Sequence, residues 1–81
     1  MTQQYIATFH THLAALRTDR TLRANGIITQ MAPVPRKLSS SCGTCVLYNA
    51  ENANIAHMDT DVEAVYRLCS KDEYEQLYKN D

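Results

Sequence analysis

An α+β fold is predicted by three features of the chain: short β-branched or aromatic runs, one long stretch of helix formers, and Asn-Gly or Pro at the breaks between them. Taken in order, these segments read β-α-β-β-α-β, followed by a C-terminal helical turn. All 81 residues form one domain in this reading, with residues 70–81 as a helical tail.

YIATF, residues 5–9, has the composition of a first strand. Residues 11–25, THLAALRTDRTLRAN, hold good helix formers with Thr11 as N-cap, and Asn25-Gly26 supplies the stop. The apolar stripe is thin: Ala15, Leu22 and Gly26 share a face, with Leu16 on its flank. Such a helix is held by packing on a sheet more than by its own pattern. IITQMAPV, residues 27–34, is the second strand, ended by Pro33 and Pro35 because proline cannot donate to a ladder. CVLYN, residues 45–49, is the third.

Residues 49–60, NAENANIAHMDT, are expected to form a short second helix capped by Asn49. In VEAVYRL, residues 62–68, Val62, Ala64, Tyr66 and Leu68 alternate with Glu63, Val65 and Arg67, which predicts a fourth strand with one buried face. SKDE, residues 70–73, matches a capping box and predicts the final helical turn through Tyr74, Leu77 and Tyr78. The order is that of a ferredoxin-like sandwich, two split βαβ units with helices on one face of an antiparallel sheet. A right-handed first crossover makes strands one and two parallel. The loop after strand two then faces the start of the first helix, with His10, Thr11 and His12, and His57 is expected at that edge too.

Composition narrows the function classes. Eight basic against nine acidic side chains leave a net charge of −1, without the basic field of a nucleic-acid binder. The basic residues of the first helix, Arg17, Arg20 and Arg23, read as a solvated face. No apolar run approaches the roughly 20 residues that span a bilayer. MTQQYIATF lacks the charged start and apolar middle of a signal peptide, so a cytoplasmic location is expected. Three cysteines, an odd number, argue against a disulfide scaffold there. Open sheet edges in so small a domain invite cover by a second copy.

The chemistry concentrates in PVPRKLSSSCGTC, residues 33–45. A thiolate is the reactive form of cysteine, and a helix N-terminus or a cationic neighbour favours it. Cys42 is expected near both, with Arg36, Lys37, His10 or His12 at hand. Ser40 and Ser41 can hydrogen-bond a sulfur anion, and Gly43 lets backbone N–H groups approach it. Cys42 and Cys45 have the CxxC spacing shared by dithiol redox sites and half zinc sites. Zinc needs four ligands, there is no second CxxC, and Cys69 is expected at the opposite edge of the sheet as a packing residue. No metal or other cofactor is expected. A histidine near Cys42 can take its proton, and His12 is the best placed.

PVPRKLSSSCG resembles the most distinctive motif of a family of small domains described as selenium/sulfur carrier-like proteins. There a strand ends in Pro-x-Pro-Arg and a serine-containing turn leads into Cys-Gly. ATFHTHLAAL followed by LRANGI is similar to the family's first strand and helix, and the likeness covers most of residues 4–68. It implies that Cys42 is the key thiol, with Pro35, Arg36, Ser40, Ser41 and Gly43 in its supporting loop and Thr11 and His12 nearby. Three departures stand out: Cys45 replaces a small or apolar residue, the second helix is short, and a tail follows Leu68.

The resemblance implies a carrier that holds sulfur or selenium on Cys42 as a persulfide-type adduct, between donor and acceptor proteins. This is carrying more than enzymatic turnover. Two other readings stand beside it: a thiol–disulfide redox protein using Cys42 and Cys45, and a non-catalytic interaction module binding through an edge strand or the tyrosine-bearing tail.

Overall fold

In the computed structural model, which describes residues 2–38, 42–71 and 73–80, a five-stranded antiparallel sheet carries one α-helix on one face. The elements are β1 (Gln3–Phe9), α1 (His12–Ala24), β2 (Ile28–Pro33), β3 (Thr44–Ala50), a 3₁₀ turn (Ile55–His57), β4 (Val62–Ser70) and β5 (Glu73–Lys79). Strand order is β2-β3-β1-β4-β5. β1 and β2 each pair antiparallel with β3, so they run in the same direction, as expected of the first crossover.

Thr11 caps α1 as its sequence position suggests: its side-chain oxygen accepts from the Ala14 N–H at 3.1 Å. Gly26, at φ 78°, reverses the chain after the helix. Ala14, Ala15, Thr18, Asp19 and Leu22 are the buried residues of α1. Of these, Ala14, Ala15 and Leu22 cluster with Tyr5, Ala7 and Phe9 of β1 and Val46 and Tyr48 of β3, and the rings of Tyr5 and Tyr48 stack with centroids 5.2 Å apart. Phe9 is wholly buried, and truncating such a ring to alanine costs about 3–5 kcal/mol.

Three expectations are corrected here. The second helix shrinks to Ile55–His57, because Asn49 stays in β3, paired with Gln4 and Ile28. Asn54 then takes the left-handed conformation, φ 53°, with its N–H donating to the Asn52 side chain at 2.9 Å. Such local asparagine bonds compete with helix formation. The C-terminal helix is instead strand β5: Ser70 pairs with Glu73, and β5 runs antiparallel to β4. The expected face of β4 also splits. Phe9 is paired with Val62 but Thr8 with Ala64, which leaves Glu63 as the extra residue of a β-bulge. Val62 and Val65 therefore join the core under α1, while Ala64, Tyr66 and Leu68 turn to the other face.

The registers bring four chain segments to one end of the sheet. Thr8 is opposite Cys45, Pro33 opposite Thr44, and the His10 N–H donates to the Asp61 carbonyl at 3.0 Å. The loop from Val34 to Gly43, the start of α1 and the approach to β4 thus share that end, as the topology argument expected.

Candidate functional site: the thiol loop

The loop begins where β2 runs out of donors. Pro33 ends β2, and as an edge-strand residue it breaks no ladder on its outer side. Pro35 then opens a turn in which the Leu38 N–H donates to the Pro35 carbonyl at 3.0 Å. This turn presents Arg36 and Lys37, both exposed, toward solvent. The loop closes at its base where the Val34 N–H donates to the Gly43 carbonyl at 3.0 Å. Gly43 has φ 74°, a conformation costly for residues with a Cβ, and this lets the chain turn from Cys42 into β3. Ser40 and Ser41, expected in the supporting loop, lie outside the described residues.

Three cysteines occupy three different environments, and none is in a disulfide. Cys42 is half-buried at the head of β3, leaning on the core under α1, with its thiol donating to the Thr44 carbonyl at 3.4 Å. Cys45 is fully buried on the opposite face, in register with Thr8 and Ala32, and its thiol reaches the Pro33 carbonyl at 3.7 Å. Burial, and then the nearby charge of Cys42, push the Cys45 thiol up to about 11. Cys69 is corrected from a packing residue to an exposed one near the far end of β4, where an Arg67 N–H donates to its sulfur at 3.8 Å. It stands at the end of the sheet away from Cys42, as expected.

The histidines also separate. His12 is the first residue of α1, exposed, at the same end of the sheet as the thiol loop. His10 instead turns to β4, with Nδ1 3.6 Å from the Glu63 carboxylate. His57 is exposed at the end of the 3₁₀ turn.

The sequence did not point to a hollow of about 540 Å³ between β1, β4 and β5, floored by Thr8 and Ala64 and walled by Tyr66, Gln76 and Lys79. It depends on β5, which the expected helical tail obscured. Among the described residues no helix is long and apolar enough to cross a membrane, and no cluster of three metal-ligating side chains occurs.

A family model described as "Putative Se/S carrier protein-like" matches residues 4–79. The match runs to the end of β5, so the segment after Leu68 lies within the family's span and is no added tail. No curated protein and no solved structure matches the chain.

Proposed function

We propose, from the premise that this chain belongs to the Se/S carrier protein-like family, that Cys42 receives a sulfur or selenium atom from a donor protein and passes it to an acceptor. In the loading step the Cys42 thiolate attacks the terminal sulfur of a donor persulfide. A new S–S bond forms as the donor's own S–S bond breaks, and the donor cysteine leaves as thiolate. Delivery is the same exchange in reverse sense: an acceptor nucleophile takes the terminal atom and the Cys42 thiolate leaves. Persulfidation is a reversible state of a reactive cysteine, and the two exchanges need no external oxidant or reductant. A selenium atom held as S–SeH follows the same balance.

The observation that carries this reading is the contrast between Cys42 and Cys45. Cys42 is half-exposed in a closed loop, whereas Cys45 is buried with its thiolate disfavoured. In this reading Arg36 and the N-terminus of α1 stabilise the sulfur anion, the bare backbone at Gly43 admits the donor, and His12 assists proton transfer. Ser40 and Ser41 hold the loop around the thiol. A split-βαβ, ferredoxin-like ancestry fits the strand order, with the second helix reduced to a turn. The exchange belongs in a reducing compartment such as the cytoplasm, where free thiols persist.

The dithiol alternative has weaker support. Its resolving thiol, Cys45, faces the side of the sheet away from the core on which Cys42 leans, within a ladder paired on both sides.

The test is intact-mass spectrometry after incubation with cysteine and a cysteine desulfurase. Wild type, Cys45→Ser and Cys69→Ser should gain one reducible sulfur atom, and Cys42→Ser should gain none. Loading that survives Cys42→Ser ends the assignment. Loss of two hydrogens, dependent on both Cys42 and Cys45, establishes the redox pair in its place.

A further inference from the structure

We infer, resting on the carrier reading for the premise that a protein must reach Cys42, that the basic side of the molecule around this thiol is a docking surface for an acidic face on its partners.

Charge is divided along the chain. Residues 1–50 hold five basic side chains and one acidic, whereas residues 51–81 hold three basic and eight acidic, net +4 against net −5. Folding keeps the two sets apart. The first segment supplies β2, β3 and β1, adjacent in the sheet, and α1, which packs on those three strands. The second supplies β4 and β5 at the other side. The one acid of the first segment, Asp19, is buried and lies 3.1 Å from Arg23. The charged side chains that α1 and the thiol loop show to solvent are therefore basic: Arg17, Arg20, Arg23, Arg36 and Lys37.

A protein that reaches Cys42 meets this charge. A standard interface covers about 800 Å² on each side, a disc of about 16 Å radius, and the longest extent of this chain is 30 Å. Such a disc takes in Arg36 and Lys37 beside the thiol and reaches the first turns of α1. Arg17 and Arg20 lie about 8 and 12 Å along the helix axis from His12. Acidic residues reach this end of the sheet as well. Asp59 lies 3.9 Å from Arg17 and partly offsets it, Asp61 is exposed, and Glu63 is 3.6 Å from His10. They precede or begin β4, two strands away from β3. The thiol end is thus graded from basic at the loop to acidic at β4. A partner with acids over the loop is attracted there and oriented by the gradient.

The occupant is a protein. Leu13, 53% exposed, is the one large apolar side chain that α1 shows to solvent, enough for a contact at a protein interface and too little to seat a helix in a bilayer. A nucleic acid, charged along its whole length, meets the acidic half too.

The test uses two cysteine peptides, one flanked by glutamates and one by lysines, each activated as a mixed disulfide with thionitrobenzoate. The protein thiolate attacks the peptide sulfur, a new disulfide forms, and coloured thionitrobenzoate leaves as thiolate. In Cys69→Ser the accessible thiol is Cys42; in Cys42→Ser it is Cys69, on β4 in the acidic half. The ratio of the glutamate-peptide rate to the lysine-peptide rate cancels the intrinsic reactivity of each thiol. That ratio should be at least about tenfold higher at Cys42 than at Cys69 in about 20 mM salt, and the difference should close in about 0.5 M salt. Adding Arg20→Glu/Lys37→Glu to the Cys69→Ser chain should lower the Cys42 ratio at least about fivefold, with an unchanged circular dichroism spectrum. Equal ratios at the two thiols overturn the inference. So does a Cys42 ratio that ignores salt or the two reversals, or a Cys42 that reacts with neither peptide. The exchange uses no desulfurase and makes no persulfide, so a failure of sulfur loading with this preference intact overturns the carrier reading alone.

Discussion

The Val34 amide donates to the Gly43 carbonyl at 3.0 Å, and that bond ties together the two ends of the loop that bears Cys42. It holds only because Gly43 takes φ 74°. An added Cβ there would meet nothing within 4 Å, so replacement tests backbone strain without a steric clash. Gly43→Ala should cost about 1–2 kcal/mol, and Gly43→Asn less, since asparagine tolerates this region better. Chemical denaturation of both variants measures the cost. An alanine variant as stable as wild type would show that the loop relaxes to negative φ at no cost. The same variant should also alter the alkylation rate of Cys42, because its sulfur sits one residue from the moved backbone.

Burial of Cys45 makes stability fall at high pH. Its thiol ionises at about 11 in the folded chain against 9.0 for an unperturbed thiol. The folded state therefore keeps its proton where the unfolded state loses it, and the stability this supplies is fully present below pH 9. It is lost as pH rises through the window between 9 and 11. Tyr48, also raised by burial and then by Tyr5, adds a loss at still higher pH. The Cys45 share is the difference between wild type and Cys45→Ala, about 1–2 kcal/mol over that window. Urea denaturation at pH 8 and pH 10.5 measures it, and parallel pH slopes for the two proteins would refute it.

Much of the thiol end was legible because its signals are local. Thr11 caps the helix it precedes, and Pro33 ends its strand. The misread elements depend on partners far along the chain. SKDE has the letters of a capping box, but the segment after it finds the open edge of β4, and pairing with that edge outweighs two turns of isolated helix. The bulge at Glu63 is equally invisible in VEAVYRL, since only the pairing with β1 shows that Val65, and not Ala64, faces the helix. Cys69 looked like a core residue for the same reason: period two does not say where a sheet face stops being covered.

A buried phenol helps to pin the residues that follow β3. Tyr48 is wholly buried and its hydroxyl donates a short hydrogen bond to the Ala53 carbonyl. Tyr48→Phe keeps the ring stack with Tyr5 but leaves that carbonyl without its donor, at a cost of about 1–2 kcal/mol. Amide hydrogen exchange should rise over residues 51–58 and stay unchanged in β1. Exchange that rises equally everywhere would mean a global loss of stability without a local release.

The position of α1 over the sheet rests on Asp19. Its carboxylate accepts from the Thr29 hydroxyl at 2.6 Å and lies 3.1 Å from Arg23 Nε, which also donates to Thr29 Oγ1 at 2.8 Å. Asp19 is 7% exposed, so the group is largely out of water and its bonds are not matched by hydration in the folded state. The network joins the last turns of α1 to β2, the strand whose end launches the thiol loop. Asp19→Ala should destabilise by about 1–2 kcal/mol, since it removes the acceptor of the Thr29 hydroxyl, while the exposed Arg23 guanidinium returns to water. Thr29→Val alone should cost less, because Arg23 still holds the carboxylate. In a double-mutant cycle the pair should couple by about 1 kcal/mol or more. The Cys42 alkylation rate in the Asp19→Ala variant then reads the functional consequence. A changed rate in a still-folded protein links the helix anchor to the thiol, whereas an unchanged rate confines Asp19 to stability.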